Sequence, residues 1–461
     1  MTLLTVLTMM TQLTTMTEMT TQSEQTPTVA VIGGGLAGSE AAFHLAKGGI
    51  STTLFEMKPA RFSPAHQHEG LAELVCSNSL RSTDPESGIG LLKMEMEQLD
   101  SLIMQAARTT AIPAGKALAV DRERFSQEIT RQLEGLKQLT IIRQEITSLD
   151  DPLLEPFSRV IIAAGPLASE PLTRSLMAAT GENDLYFYDA IAPIVATDSI
   201  DLDKAFWGSR YHPEEKDYLN CPLNEEEYTA FVQALKEGTR VNPREFEKTI
   251  HFEGCLPIET MADRGEQTLA FGPLKPVGLI DPRTGEQPFA CVQLRAENRD
   301  KTAMNMVGFQ TKLTYPEQKR IFSMIPGLEH AEFERMGSIH RNTFVNAPRV
   351  LTPHLELKDR PGFFLAGQIT GVEGYLESGA TGLWLGLFLS KKITSLPPAT
   401  TALGALLHHV QTPAKKFQPS NINFGLMPGL NRKARKKDRK ALYAARAVQA
   451  FAKWLRQTSL S

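Results

Sequence analysis

The chain has 461 residues, room for two or three domains, and 42% of them are hydrophobic, ample for a core. Its 49 Lys and Arg against 52 Asp and Glu leave a net charge of −3, so any nucleic-acid-binding surface must be local. Four cysteines (Cys76, Cys221, Cys255 and Cys291) without C-x-x-C spacing argue against a zinc site or a disulfide scaffold, and fit reduced thiols in a cytoplasmic protein.

Residues 1–26 are rich in Thr and Met and contain neither Lys nor Arg. They lack the positive start of a secretory signal and the Arg-rich face of a transit peptide, and Thr interrupts their apolar runs too often for a membrane span. They read as a disordered extension, or the product of an upstream start codon, outside the fold. No other segment reads as transmembrane.

The fold begins at Thr28-Val29-Ala30-Val31-Ile32, a run that reads as a buried strand. In Gly33-Gly34-Gly35-Leu36-Ala37-Gly38, which follows, Gly33, Gly35 and Gly38 fit G-x-G-x-x-G between a strand and an alanine-rich helix, the context that gives the pattern meaning. The first glycine permits the turn, the second lets the backbone approach a pyrophosphate, and the third lets helix and strand pack closely. Phosphates then sit on free N–H groups at the positive helix end. The helix runs to about Lys47, where Gly48-Gly49 stops it, and Ser51-Thr52-Thr53-Leu54-Phe55 reads as a second strand. That strand ends at Glu56, roughly 20 residues beyond the glycines, where this fold places a carboxylate for ribose hydroxyls.

Residues 57–82 form a long loop with Pro59, Pro64, His66 and His68, and such loops are usually functional or disordered. The two histidines read as loop hydrogen-bonders, since no third metal ligand accompanies them. Cys76 lies among Ser77, Asn78 and Arg81, and a nearby Arg favours the reactive thiolate. Residues 87–107 read as one amphipathic helix, 117–120 as a short strand, and Asp121 as the cap of a helix from Arg122 to about Leu136. Two further strands follow at 139–149 and 159–164, the second ending in a glycine turn at Gly165. By fold analogy, an apolar strand ending in Ala-Gly closes the FAD domain of many flavoproteins.

From 186 onward aromatics, prolines and acidic runs replace the βα alternation. Residues 189–346 read as an inserted, more irregular α/β domain with an acidic helix at 224–236. It holds no second G-x-G-x-x-G, so a nicotinamide cofactor lacks a Rossmann site of its own. The earlier pattern returns at Gly362, with a strand ending in Gly367-Gln368 and a helix beginning near Gly371–Tyr375 that contains Gly379, Gly382 and Gly386. Where many FAD proteins carry Gly-Asp, this chain carries a neutral Gln368, which avoids repelling phosphate. The helix N-terminus can stabilise anionic reduced flavin. Tyr375 either stacks on the flavin ring or packs as an ordinary aromatic. Near the end, Arg432-Lys433-Ala434-Arg435-Lys436-Lys437-Asp438-Arg439-Lys440 sets seven cations against one anion, either a solvated face or a stripe for a phosphate backbone. The fold class expected is α/β: an FAD-binding, Rossmann-type (glutathione-reductase-like) domain built from 27–188 and 347–461, interrupted by the domain at 189–346.

Four segments carry a resemblance: Gly33-Gly34-Gly35-Leu36-Ala37-Gly38-Ser39-Glu40, Leu74-Val75-Cys76-Ser77-Asn78-Ser79, Gly254-Cys255-Leu256-Pro257-Ile258-Glu259, and Ala366-Gly367-Gln368-Ile369-Thr370-Gly371-Val372-Glu373-Gly374-Tyr375. Together they resemble the TrmFO family, the folate- and FAD-dependent tRNA (uracil-5-)-methyltransferases, over about residues 28–445. The last segment is shared with the related GidA/MnmG wobble-uridine enzymes, which are longer at the C-terminus and are the alternative reading. A third reading is an RNA-binding module on a flavoprotein fold, without turnover.

The resemblance implies that 5,10-methylenetetrahydrofolate gives a one-carbon unit to C5 of the T-loop uridine (uracil-54), forming ribothymidine. Reduced FAD supplies the electrons and NADPH or NADH reloads it. Cys76 and Cys255 match the family's two catalytic cysteines, Cys76 as the nucleophile at C6 and Cys255 as the acceptor of the C5 proton. Cofactor-binding residues implied are Gly33, Gly34, Gly35, Leu36, Ala37, Gly38, Glu56, Gly165, Gly367, Gln368, Gly374 and Tyr375. The stripe Arg432, Lys433, Arg435, Lys436 and Lys437 is the candidate tRNA contact. No metal and no obligatory protein partner are expected, and Cys221 and Cys291 read as small semi-buried residues.

Overall fold

Five short parallel strands form the sheet on which the rest is hung: β1 (Thr28–Ile32), β2 (Ser51–Phe55), β3 (Leu139–Ile142), β4 (Arg159–Ile162) and β5 (Phe363–Leu365). Their spatial order is β5-β4-β1-β2-β3, with Val31 opposite both Leu54 and Ile161. β1 is central and buried on both faces, which is why it reads as an unbroken apolar run. The computed structural model describes residues 27–181, 185–210, 212, 215–241, 256–415, 417–431 and 434–458. The N-terminal extension expected at 1–26 lies outside them.

Helix α1 (Leu36–Lys47) leaves the glycine turn and ends at Gly48, as expected. Helix α2 (Tyr375–Leu389), from the far end of the chain, lies against it. The contact is backbone to backbone: a Cβ at Gly382 would lie 2.0 Å from the Ala37 carbonyl oxygen. Alanines on α1 and glycines on α2 are therefore one packing device, and they fix the late segment beside the early one.

The helix expected over 87–107 is two helices, Gly88–Gln98 and Leu102–Thr109, with Asp100 in the left-handed region at φ 61°. The break has a remote cause. Glu40, fully buried on α1, accepts from the Ser101 hydroxyl and from the N–H groups of Leu102 (3.1 Å) and Ile103 (3.0 Å). A buried carboxylate needs donors, and a fresh helix start supplies them. Glu95 does the same for Ala402–His409, accepting from Ala402 (2.8 Å) and Leu403 (2.7 Å). Asp121 caps Arg122–Glu134 through the Arg124 N–H, as expected. The strand expected over 139–149 stops at Ile142, opposite Phe55, the last residue of β2.

A separate antiparallel sheet of six strands draws on residues 194–335, in the order Phe206–Gly208, Tyr218–Leu223, Ala290–Ala296, Ala303–Met306, Ile194–Ala196, Phe333–Arg335. It has its own apolar core, which includes Phe231, Phe309 and Phe322. The helix Glu225–Glu237 starts with a full capping box on Asn224. A two-stranded ribbon, Leu185–Ile191 against Ser338–Phe344, carries the chain into this unit and back. A third small sheet, Ser79–Ser82 with Ala117–Val120 and Ala111–Ile112, lies between the two cores and gives Ile112 and Ala119 to the second.

Candidate active site

The glycine turn has the geometry its spacing requires. Gly33 sits at φ +99°, where a Cβ would also meet the Ala163 carbonyl oxygen at 2.7 Å, and a Cβ at Gly38 would fall 1.9 Å from the Gly33 carbonyl oxygen. Around Gly35 there is open space. No side chain caps the N-terminus of α1, so its first N–H groups are left for a ligand.

These groups open on a cleft of about 1040 Å³ walled by the glycine turn, Glu56, Lys58, the turn at 163–169, Gly367, Gln368, Tyr375 and Ser378. Of the residues expected to bind cofactor, Gly33, Gly34, Gly35, Leu36, Ala37, Glu56, Gly165, Gly367, Gln368 and Tyr375 line it. Gly38 and Gly374 do not: the first packs under the turn, and the second precedes α2, where a Cβ would strike the Glu377 carboxylate. Glu56 is buried and spends one oxygen on the Gly34 N–H (2.7 Å) and the other on the Lys58 N–H (2.9 Å). It therefore ties the second strand to the phosphate turn as well as facing the cleft. Gln368 donates its amide to the buried Glu373 carboxylate at 2.9 Å.

The cleft suits FAD on two structural counts. Backbone at Gly35 is bare where a pyrophosphate approaches. The hydroxyls of Ser169 and Ser378, both on the cleft wall, are buried without a hydrogen-bond partner. Buried polar groups rarely go unsatisfied unless something else completes them.

Cys76 follows Val75 of the cleft wall; it is half-buried, outside any disulfide, and its thiol donates to Ala190 O at 3.8 Å. Its N–H donates to the Tyr375 hydroxyl at 2.6 Å, and the Ser77 N–H donates to the same oxygen at 3.2 Å. Tyr375 thus bridges the flavin-side helix and the cysteine loop, while its ring faces the cleft. Burial, with the Cys76 charge beside it, pushes the Tyr375 phenol well above its ordinary range, so it stays protonated.

The cation expected beside Cys76 is misassigned by sequence. Arg81 turns away at φ 66° and pairs with buried Glu377 at 2.8 Å. The guanidiniums that feel the Cys76 charge are Arg122 and Arg335. Arg122 is buried, which opposes its charge. Glu297 at 2.8 Å more than offsets this, and Tyr375 and Cys76 add to the effect. Its Nη1 donates to the Leu74 carbonyl, two residues before the cysteine.

The residues after Cys76 are fasteners. Asn78 is fully buried and uses its whole amide: Nδ2 donates to Val120 O (3.0 Å) and Ala296 O (2.9 Å), and Oδ1 accepts from Arg295 Nε (2.9 Å). Arg295 Nη2 donates to the Ser77 hydroxyl at 2.8 Å. Sequence reading missed Arg295 and Arg122. The first had a visible signal, a charged residue inside the apolar strand Ala290–Ala296; the second had none.

Cys255 lies outside the described residues, as do Arg432 and Lys433. The segment after Cys255 is anchored: Ile258 N–H donates to Gln310 O at 2.7 Å, and buried Glu259 accepts from Thr311 (3.0 Å) and Lys312 (2.7 Å). Arg435, Lys436 and Lys437 are exposed, just before a helix (Arg439–Gln457) that buries Ala444, Ala447, Phe451 and Trp454. Cys221 and Cys291 are fully buried rather than semi-buried, and burial pushes the Cys291 thiol up to about 12 and the Cys221 thiol higher still. Neither is a nucleophile at neutral pH. His66 hydrogen-bonds Ser63 at 2.6 Å. Among the described residues no helix is long and apolar enough to cross a membrane.

A glycine-turn helix on a parallel sheet, a long cleft at its carboxyl edge and a late strand and helix closing the far wall define an FAD-binding protein of the Rossmann type. Residues 28–397 match the family model described as glucose inhibited division protein A. The chain is 63% identical, over 93% of its length and 97% of the relative's, to a methylenetetrahydrofolate–tRNA-(uracil-5-)-methyltransferase TrmFO of Oleidesulfovibrio alaskensis. To the TrmFO of Geobacter sulfurreducens it is 56% identical, over 93% and 99%. The chain belongs to the TrmFO family. Aquifex aeolicus GidA, at 17% identity and TM-score 0.67 over 94% of this chain and 73% of that one, shares the fold.

Proposed function

We infer that this chain is a methylenetetrahydrofolate-dependent tRNA (uracil-5-)-methyltransferase, forming ribothymidine at the T-loop uridine (uracil-54). The observation that carries the reading is the junction at Tyr375: one hydroxyl holds the Cys76 loop while the same ring walls the dinucleotide cleft, so nucleophile and redox cofactor are neighbours.

Uracil C5 is a poor nucleophile. Cys76 Sγ adds to C6, forming an S–C6 bond and moving an electron pair towards C5 and O4, after which C5 attacks the folate methylene. Arg122 and Arg335 are the cations whose fields reach Cys76 as it reacts. Loss of the C5 proton to a base, assigned to Cys255, breaks the bond from the methylene to the folate nitrogen, so that tetrahydrofolate leaves with the electron pair and takes up a proton while the methylene becomes double-bonded to C5. A hydride added to this methylene makes it methyl and breaks the C6–S bond, which frees Cys76; that hydride is what FAD, reduced by NADPH or NADH, would supply when bound. The glycine turn, the free N–H groups of α1, Glu56, Gln368 and Ser378 are the residues to hold it. The purified chain suffices without a protein partner, and its free thiols suit the cytoplasm.

The test is a nucleoside digest after incubating flavin-loaded protein with unmodified tRNA transcript, NADPH and methylenetetrahydrofolate. Ribothymidine should form, dependent on folate and indifferent to S-adenosylmethionine. Alanine at Cys76 or at Cys255 should end its formation while the protein remains yellow. No ribothymidine from flavin-loaded protein sinks the reading.

A further inference from the structure

Of the guanidiniums around the Cys76 loop, two are committed to the protein. Arg295 is spent on Asn78 and Ser77. Arg122 is buried against Glu297 at 2.8 Å and donates to Leu74 O. Arg335 is different. It ends the edge strand Phe333–Arg335, it is half-buried, and its one hydrogen bond among the described residues runs from Nη2 to Ala65 O at 2.9 Å. The carboxylate whose field it feels, Glu73, is committed elsewhere: to the Lys58 ammonium at 3.3 Å and to the N–H groups of Gln67 (2.9 Å) and His68 (3.2 Å). Burial opposes the charge on Arg335, yet a guanidinium keeps its proton at neutral pH. Charges withdrawn from water are normally paired, so a half-buried cation with donors to spare points to an anion that comes with a ligand.

Cys76 and Arg335 converge on one short stretch of chain. The Cys76 thiol rests on Ala190 O at 3.8 Å. Ala190 pairs with Ile339 in the two-stranded ribbon, and four residues on, Ile194 pairs with Arg335. Ala65, which accepts from Arg335, precedes His66 of the cofactor-cleft wall. The guanidinium therefore lies where the cleft, the thiol loop and the ribbon come together. The neighbouring imidazoles carry no rival charge: burial lowers the pKa of His66, and takes that of His340 down to about 4, so both are neutral at pH 7.

We propose that Arg335 is a further catalytic residue, its guanidinium donating to O4 of the target uracil. As Cys76 Sγ bonds to C6, the C5–C6 π pair moves to C5 and is shared with O4, the carbonyl oxygen conjugated with that double bond. No proton has to move in this step, so a fixed cation that cannot surrender its own suits the oxyanion. The pair returns through C5 when C5 attacks the folate methylene. Donors already in place where charge develops act without reorganising, and losing one costs about a hundredfold or more in rate. The inference rests on the tRNA (uracil-5-)-methyltransferase reading above.

The experiment uses a T-arm hairpin carrying 5-fluorouracil at the target position. It has no C5 proton to lose, so the adduct between Cys76 and C6 is held and can be counted on a denaturing gel. The flavin-loaded full chain is mixed with saturating hairpin and methylenetetrahydrofolate, and the adduct rate is read beside hairpin affinity by fluorescence anisotropy. Arg335→Gln should slow adduct formation about a hundredfold at saturation, with hairpin affinity and flavin occupancy at wild type. Arg335→Lys keeps the charge but not the planar fork, and should fall between the two. A wild-type adduct rate in either variant overturns the proposal. So does weakened hairpin affinity with a wild-type rate at saturation, which would make Arg335 a phosphate contact. Wild-type ribothymidine formation, measured alongside, separates the two readings: its absence sinks the enzymatic reading and this one with it, whereas its presence with a full-speed Arg335→Gln removes only the role of Arg335.

Discussion

Asn78→Ala isolates the fastening of the nucleophile loop from the nucleophile itself. Asn78 does not line the cofactor cleft, and its side chain makes three buried hydrogen bonds, to Val120 O, Ala296 O and Arg295. Two are neutral, each worth about 1 kcal/mol net, and the one from the guanidinium is worth about 1.5–3. The sum is roughly 3–5 kcal/mol, and because Arg295 keeps Ser77, a loss of about 3 kcal/mol is expected. Part of this falls on the placement of Cys76, where a shift of about 1 Å can cost on the order of a hundredfold in rate. The assay pairs flavin occupancy with single-turnover methyl transfer and the rate of Cys76 alkylation. Occupancy should equal wild type, turnover should fall about a hundredfold, and alkylation should change because the thiol has moved. Wild-type turnover in a folded Asn78→Ala protein would refute the claim that this amide positions the cysteine.

Three other outcomes follow from the geometry. Gly38→Val should yield a colourless protein, because its Cβ would lie 1.9 Å from the Gly33 carbonyl oxygen and the turn could not form; absorbance at the flavin band after gel filtration reads this directly. Lys93 is buried and donates to Leu80 O (2.7 Å) and Ser82 O (2.8 Å), and burial lowers its pKa to about 7. Between about 7 and its unfolded value near 10.4 the unfolded chain binds a proton that the folded one does not. Lys93 therefore makes stability rise with pH across that window, and Lys93→Met should flatten the rise in melts at pH 7, 8 and 9. Neutralising Arg435, Lys436 and Lys437 should weaken tRNA binding and reduce its salt slope, by up to about 0.9 per lost phosphate contact on duplex. Unaltered affinity returns that stripe to a solvated face.

The parts of this protein legible in sequence are those whose causes are local. A phosphate turn needs glycines at fixed spacing, and a strand buried on both faces is a run of apolar residues, so β1, α1 and β2 could be placed to within a residue. What was not legible has causes far along the chain. The break at Asp100 is made by Glu40, sixty residues earlier, seeking donors. The cations of Cys76 arrive from Arg122 and Arg335, while its sequence neighbour Arg81 serves Glu377. The division of labour within Cys76-Ser77-Asn78 was not legible either: Ser77 and Asn78 are held by Arg295, which arrives from a strand more than two hundred residues later.

Cys76 is gripped from both sides, by Tyr375 of the helix that walls the cleft and, through Ser77 and Asn78, by Arg295 of the antiparallel sheet. The loop that carries the thiol is therefore tied to both units at once, so a displacement of either one reaches Cys76 through a single hydrogen-bonded side chain.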